Sequence, residues 1–146
     1  MIRVILFIIV SFSFQNSQEQ SSTGFYVMIS EKEKNCPQKF MTMDNKQAYC
    51  VPRKPILDRS VFVSVSEIRQ LEKRKYIDLY LSTKGMESLK NLVTNLPNAS
   101  FILVVEDKVV GVLKNKDVVG RFIRIDSDIL SKDIDWVHDH LKKSNL

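Results

Sequence analysis

The chain is 146 residues long, 44% hydrophobic and 27% charged, with a formal charge of +5. That length allows one domain with a core of ordinary size, and the balance excludes a disordered chain or one embedded in a membrane throughout. The lysines are scattered, with neither an arginine-rich run nor a glycine–aromatic RNA-binding signature, so the positive balance describes a solvated surface and no nucleic-acid partner is expected.

Arg3 precedes the apolar run Val4–Val10, which is short for a bilayer span and matches the apolar centre of a secretory signal. Residues 1–17 are expected to direct export, with cleavage between Phe14 and Glu19 and a periplasmic or secreted mature chain. Ser11, Ser13 and Ser17 make no clean cleavage site, so an uncleaved inner-membrane anchor and a buried first strand stay open. Residues 18–24 are small and polar, a linker, and residues 25–146 form the domain.

Within the domain, Phe25–Ile29 reads as a strand. Phe40–Met43 and Ala48–Val51 flank the turn Asp44-Asn45-Lys46. Pro52 and Pro55 bracket a stiff connector before a short strand, Val61–Val63. Ser64-Val65-Ser66-Glu67 fits a capping box, and Val65, Ile68 and Leu71 predict a short helix ending in the charged run Glu72–Lys75. Ile77, Leu79 and Leu81 alternate, giving a strand over Tyr76–Leu81. Ser82/Thr83 then cap a helix whose inner face is Met86, Leu89, Val93 and Leu96, and which Asn95 and Pro97 stop. Phe101–Val105 and Val109–Leu113 predict a hairpin across the polar break Glu106-Asp107-Lys108. After the turn-like Lys114–Val119 come a strand, Arg121–Ile125, and a last helix capped by Ser131, with Ile134, Val137 and Leu141 facing inward and Trp136 beside them.

These elements imply an α+β fold, a mainly antiparallel sheet with helices packed on one face, in two layers around one core. The hairpin breaks the pattern. Phe101, Leu103 and Val105 fill one side, yet Ile102 and Val104 on the other, with Val110 and Val112 on the second strand, are equally apolar. Either another segment covers this second face, such as Phe25–Ile29 or the helix around Trp136, or it is exposed and takes a polypeptide or a second copy of the chain.

Cys36 and Cys50 are the only cysteines, and in an exported chain they are expected to pair, closing a short loop worth roughly 3 kcal/mol. His138 and His140, among Asp133, Asp135 and Asp139, are two apart on a helix and diverge by about 200°, so they cannot share a metal ion. A solvated helix face is expected instead. The glycines are too few and dispersed for a phosphate loop, and Asn98-Ala99-Ser100 matches a glycosylation acceptor. No catalytic residue, metal site or cofactor is expected, although a small secreted hydrolase or metal enzyme, and a structural subunit of a surface assembly, remain the rival classes.

From Ile77 to Leu141 the chain resembles the head part of the first periplasmic domain of the SecD family of protein-export accessory subunits. The resemblance rests on IDLYLSTKGMESLKNLV, on FILVVEDKVVGVL, and on Gly120–Ile125 followed by Ser131–Leu141. It departs in three ways: the turn lacks a glycine between Asp107 and Lys108, Leu113-Lys114-Asn115 replaces a proline-bearing exit, and no membrane-spanning helices of a proton-coupled motor follow. The resemblance implies an exported, non-enzymatic module of the bacterial cell envelope that contacts polypeptide or an envelope protein partner.

Overall fold

The computed structural model describes residues 22–29, 35–114, 118–119, 121–127 and 133–143. The expected signal segment 1–17 and most of the linker lie outside the described residues, as does Ser131, the expected cap of the last helix.

In chain order the first strands are Gly24–Val27 (β1), Gln38–Thr42 (β2), Ala48–Val51 (β3), Leu57–Asp58 (β4), Phe62–Val65 (β5), Arg69–Leu71 (β6) and Arg74–Leu81 (β7). Helix α1, Thr83–Asn95, follows, then Ser100–Val105 (β8), Lys108–Lys114 (β9), Val118–Val119 (β10), Phe122–Asp126 (β11) and helix α2, Ile134–Lys143. The fold is α+β, and the strands divide between two sheets. One runs β3-β2-β9-β8-β1-β4 and the other β10-β11-β7-β5, with β6 also on β7. Among the described residues only the β2–β9 pairing is parallel.

The main core lies between the sheets and under both helices. Phe25, Phe101, Leu103, Val105, Val110 and Leu113 of the first sheet meet Ile77, Leu79, Ile123 and Ile125 of the second, with Leu89 of α1 and Ile134, Val137 and Leu141 of α2. Ser82 caps α1 by accepting the Gly85 N–H at 3.2 Å. A Cβ on Gly85 would lie 2.9 Å from the Cβ of Val61, so the absence of a side chain lets α1 sit directly on the segment before β5. Leu96, expected on the inner face, is the C-terminal cap and exposed. The β8–β9 turn is only Glu106-Asp107, at φ 47° and 64°. Positive φ at both positions is the turn whose twist matches a hairpin.

The helix expected after Ser64 is absent. Ser64 lies in β5 opposite Tyr80, and Arg69–Leu71 pair with β7 as strand β6. Ser66 makes the bonds instead: its Oγ accepts the Asp78 N–H at 2.9 Å and its N–H donates to the Asp78 carbonyl at 2.9 Å. A helix that short is marginal alone, whereas the long edge of β7 offers backbone partners to the same residues. Val65 at the end of β5 and Ile68 in the irregular link before β6 both reach the core, while Leu71, in β6, is exposed. A second correction concerns His138, which is buried rather than solvated. Its position one residue past Val137 and four past Ile134 puts it on the apolar side of α2.

The second face of the hairpin is not an exposed surface. Ile102 and Val104 are fully buried in a small second core with Tyr26, Phe40, Val51 and Val109. Neither the first strand nor the last helix lies over this face as a separate layer; the sheet curls to enclose it. β1 and β2 are three strand places apart, about 14 Å in a flat sheet, yet the rings of Tyr26 and Phe40 meet edge-on at 5.2 Å between centroids. The Ile29 N–H, just past β1, donates to the Cys50 carbonyl of β3 at 3.0 Å, which draws the two sides of the curl together. A register shift between Leu103 and Val104 sends Val109 into the curl and Val110 into the main core. Val112 is partly buried at the curl's margin.

Cys36 and Cys50 form the expected disulfide, with 5.5 Å between their Cα atoms. It ties the entry of β2 to the end of β3, beside the Ile29–Cys50 bond. Replacing both cysteines with serine is expected to lower stability by about 3 kcal/mol, the loop-entropy value for a closure of this length. Urea unfolding of the oxidised protein and the double variant measures it; equal midpoints would leave the bridge without a structural role.

Candidate functional site

Alternation in β7 turns Ile77, Leu79 and Leu81 inward, so Tyr76, Asp78 and Tyr80 face the other way. In β11 the same rule pairs Phe122 with Tyr80 and Arg124 with Asp78 across the ladder. Both described helices pack on the inward face, and among the described residues no helix lies on the outward face. Asp78 sits at its centre with its side chain 1% exposed. Arg124 meets it as a two-pronged fork, Nε to Oδ1 at 2.8 Å and Nη2 to Oδ2 at 3.1 Å. Arg69 of β6 adds a second cation, 3.9 Å from Oδ2. The hydrogen bonds from Arg124 hold its guanidinium above the usual arginine range, against the opposing effect of desolvation.

The guanidinium is also stacked. Its carbon lies 4.4 Å from the centroid of the Tyr76 ring and 5.3 Å from that of Phe122, and Phe122 leans on Tyr80 with centroids 5.6 Å apart. Tyr76, Arg124, Phe122 and Tyr80 thus form a continuous, partly exposed ladder of aromatic rings and one cation. The geometry limits its chemistry. A carboxylate whose two oxygens are engaged by a bidentate arginine is a poor base or nucleophile. A rigid row of rings with a delocalised cation has instead the composition that contact surfaces use, since tyrosine and arginine dominate the energetics of protein interfaces.

The residues expected to carry function divide differently. Ile102, Val104 and Val110 fill cores, Val112 borders a cleft, and Cys36 and Cys50 are joined. His138 and His140 do not converge: His138 Nδ1 approaches Asp139 Oδ1 at 3.3 Å, whereas the His140 ring stacks on Trp136 and its Nδ1 meets the Trp136 carbonyl at 2.8 Å. Among the described residues no group of three or more His, Cys, Asp or Glu side chains is placed to hold a metal. No described helix is long and apolar enough to cross a membrane. The aromatic–arginine ladder escaped the sequence reading. The signal is the shared alternation of Tyr76-Ile77-Asp78-Leu79-Tyr80 and Phe122-Ile123-Arg124-Ile125, whose outward halves meet only when β7 and β11 pair.

Two surface ion pairs tether α2: Lys75 Nζ to Asp135 Oδ2 at 3.0 Å, and Lys142 Nζ to Glu67 Oε1 at 2.9 Å. The hydrogen bond from Lys75 depresses the Asp135 carboxyl, and that from Lys142 depresses Glu67. A carboxyl depressed in the folded chain stabilises it at pH values above its ordinary pKa, and the contribution is lost as pH falls through the depressed value. Amide exchange in α2, corrected for intrinsic rates, is therefore expected to accelerate below about pH 4, and less so in a Lys75→Met/Lys142→Met variant. Equal acceleration in both proteins would exclude the tethers as its cause.

Comparison of the chain with protein-family models, with curated proteins and with solved structures finds no match.

Proposed function

We propose that the chain is an exported, non-enzymatic binding module of the cell envelope that contacts polypeptide through the outward face of the second sheet. The observation that carries this reading is the Tyr76–Arg124–Phe122–Tyr80 ladder, held in place by a buried Asp78 on the face opposite the two described helices. Pre-ordered rings lose little conformational freedom on binding, so their apolar area converts into affinity. The Cys36–Cys50 disulfide supports an oxidising compartment, and the resemblance to the SecD head agrees with a polypeptide partner.

The test is titration of the protein with a reduced, carboxymethylated polypeptide that cannot fold. Tyr80→Ala/Phe122→Ala, at partly exposed positions, is expected to keep its melting temperature within a few degrees and to weaken binding by about 30-fold, the effect of losing an interface anchor. Unchanged affinity in that variant, or no binding by the native protein, would overturn the proposal.

A further inference from the structure

The outward face of the second sheet extends past the aromatic ladder onto β6. Residues opposite one another in an antiparallel pair share a face. Arg69, opposite Tyr76, and Leu71, opposite Arg74, therefore lie on the same side as the rings. Leu71 is 67% exposed and the Arg69 side chain 56% exposed. Rings, a large aliphatic side chain and arginine thus meet on one surface.

The charges on this surface are unequal. Register and alternation place Arg69, Arg74 and Arg124 outward, against Asp78 and Asp126. Asp78 is withdrawn from solvent, with both oxygens held by the Arg124 fork. Arg69 is placed differently. Its Nη1 lies 3.9 Å from Asp78 Oδ2, an ion-pair distance too long for a hydrogen bond, so that contact uses none of its N–H donors. Asp78 holds the guanidinium of Arg69 over the sheet without consuming its hydrogen-bonding capacity.

Charge and geometry choose among occupants. A second copy of the chain, docked about a two-fold axis, would set arginine against arginine. A single-stranded nucleic acid needs ring faces on which to stack its bases. Here the Arg124 guanidinium occupies the Tyr76 face, 4.4 Å from its centroid, and lies 5.3 Å from that of Phe122. An extended polypeptide needs no free ring face. Its apolar side chains can lie on Leu71 and the ring edges, while a carboxylate meets the planar Arg69 fork in the bidentate geometry it favours.

We infer that this face selects acidic polypeptide segments, with Arg69 receiving a carboxylate of the partner and Leu71 and the rings receiving the apolar residues beside it. The inference rests on the function proposed above, binding of polypeptide by this face, and names the chemistry of the partner. The rings and Leu71 supply affinity for any apolar segment, and Arg69 supplies the discrimination between segments.

The experiment compares two synthetic peptides by fluorescence anisotropy. Both alternate tyrosine and leucine with a polar residue, glutamate in one and glutamine in the other. The glutamate peptide is expected to bind about tenfold more tightly, the worth of a charge-assisted hydrogen bond, and to lose that advantage in concentrated salt. Arg69→Gln is expected to bring the glutamate peptide down to the affinity of the glutamine peptide, which itself stays unchanged. Leu71→Ser is expected to weaken both alike. An Arg69→Gln variant that lost affinity for both peptides equally would make Arg69 structural and overturn the inference. The preference is read on the native protein, so the test survives a variant that does not fold. Equal binding of the two peptides, with carboxymethylated polypeptide still captured through Tyr80 and Phe122, would defeat this inference and leave the proposed function intact. Failure of all three chains to bind would defeat the proposed function itself. A single-stranded oligodeoxynucleotide bound more tightly than the glutamate peptide, or a rise in mass from pairing of two copies through this face, would overturn the choice of occupant.

Discussion

Replacing Arg124 with methionine is expected to cost about 3 kcal/mol, more than removing the acid it pairs with. The asymmetry follows from burial. Asp78 has a side chain 1% exposed, and without Arg124 its remaining cation is Arg69, 3.9 Å from one oxygen. An anion stranded in that position must lose its charge or open the sheet to water. Arg124 is 39% exposed, so in Asp78→Leu it can turn toward solvent, at a cost of about 1–2 kcal/mol. The double variant Asp78→Leu/Arg124→Met should recover most of the loss, to within about 1 kcal/mol of the native protein, because no unpaired charge remains. Urea unfolding of the four proteins closes the cycle. An Arg124→Met variant as stable as the native chain would show that the pair orders a surface without holding the sheet. The double variant then serves a second purpose: it keeps the rings of Tyr76 and Phe122 but removes the cation between them, separating the ladder's stability from its contacts.

What was legible in the sequence is local. Helix α1 could be read because Ser82, Leu89 and Pro97 carry a cap, an inward position and a stop within a few turns. The β8–β9 hairpin could be read because its apolar runs are broken only by polar residues. The inward face of α2 followed from Ile134, Val137 and Leu141, and the disulfide from two cysteines in a chain read as exported. The failures depend on partners distant in sequence. Val65, Ile68 and Leu71 have helical spacing, but three residues at that spacing cannot outweigh the edge of β7, which becomes a neighbour only after folding. His138 was read by chemistry rather than by its place beside Val137. Asp78 looked like the polar half of an alternating strand, since its partner Arg124 lies 46 residues away. The curl is the extreme case. It depends on Tyr26 meeting Phe40 and on Ile29 bonding to Cys50, and neither contact has a signature within its own segment.

Lysine at Ile102 and Val104 together is expected to abolish folding. A strand apolar on both faces has two readings, an exposed binding surface or a sheet buried on both sides, and they differ most at these residues. Both side chains are wholly buried, enclosed by Tyr26, Phe40, Val51 and Val109. None of these supplies a carboxylate, and the phenol of Tyr26 is already donating to the Ser22 carbonyl at 3.0 Å. An ammonium there would be desolvated with no partner, costing about 4 kcal/mol or more at each site. Two such costs, about 8 kcal/mol or more together, outweigh the stability of a domain in the lower half of the ordinary range of roughly 5–15 kcal/mol. Ile102→Ala keeps the test quantitative, since it should remain folded and lose about 3 kcal/mol through the cavity it leaves. Val112→Lys provides the contrast: its side chain borders the open cleft beside β9, so the ammonium can reach water and the loss should stay below about 1 kcal/mol. Circular dichroism and urea unfolding separate these outcomes. A double lysine variant that melted with the native protein would mean that the curl opens at little cost. The β8–β9 hairpin would then present its second face after all, and the contact surface would have to be sought there rather than on the aromatic ladder.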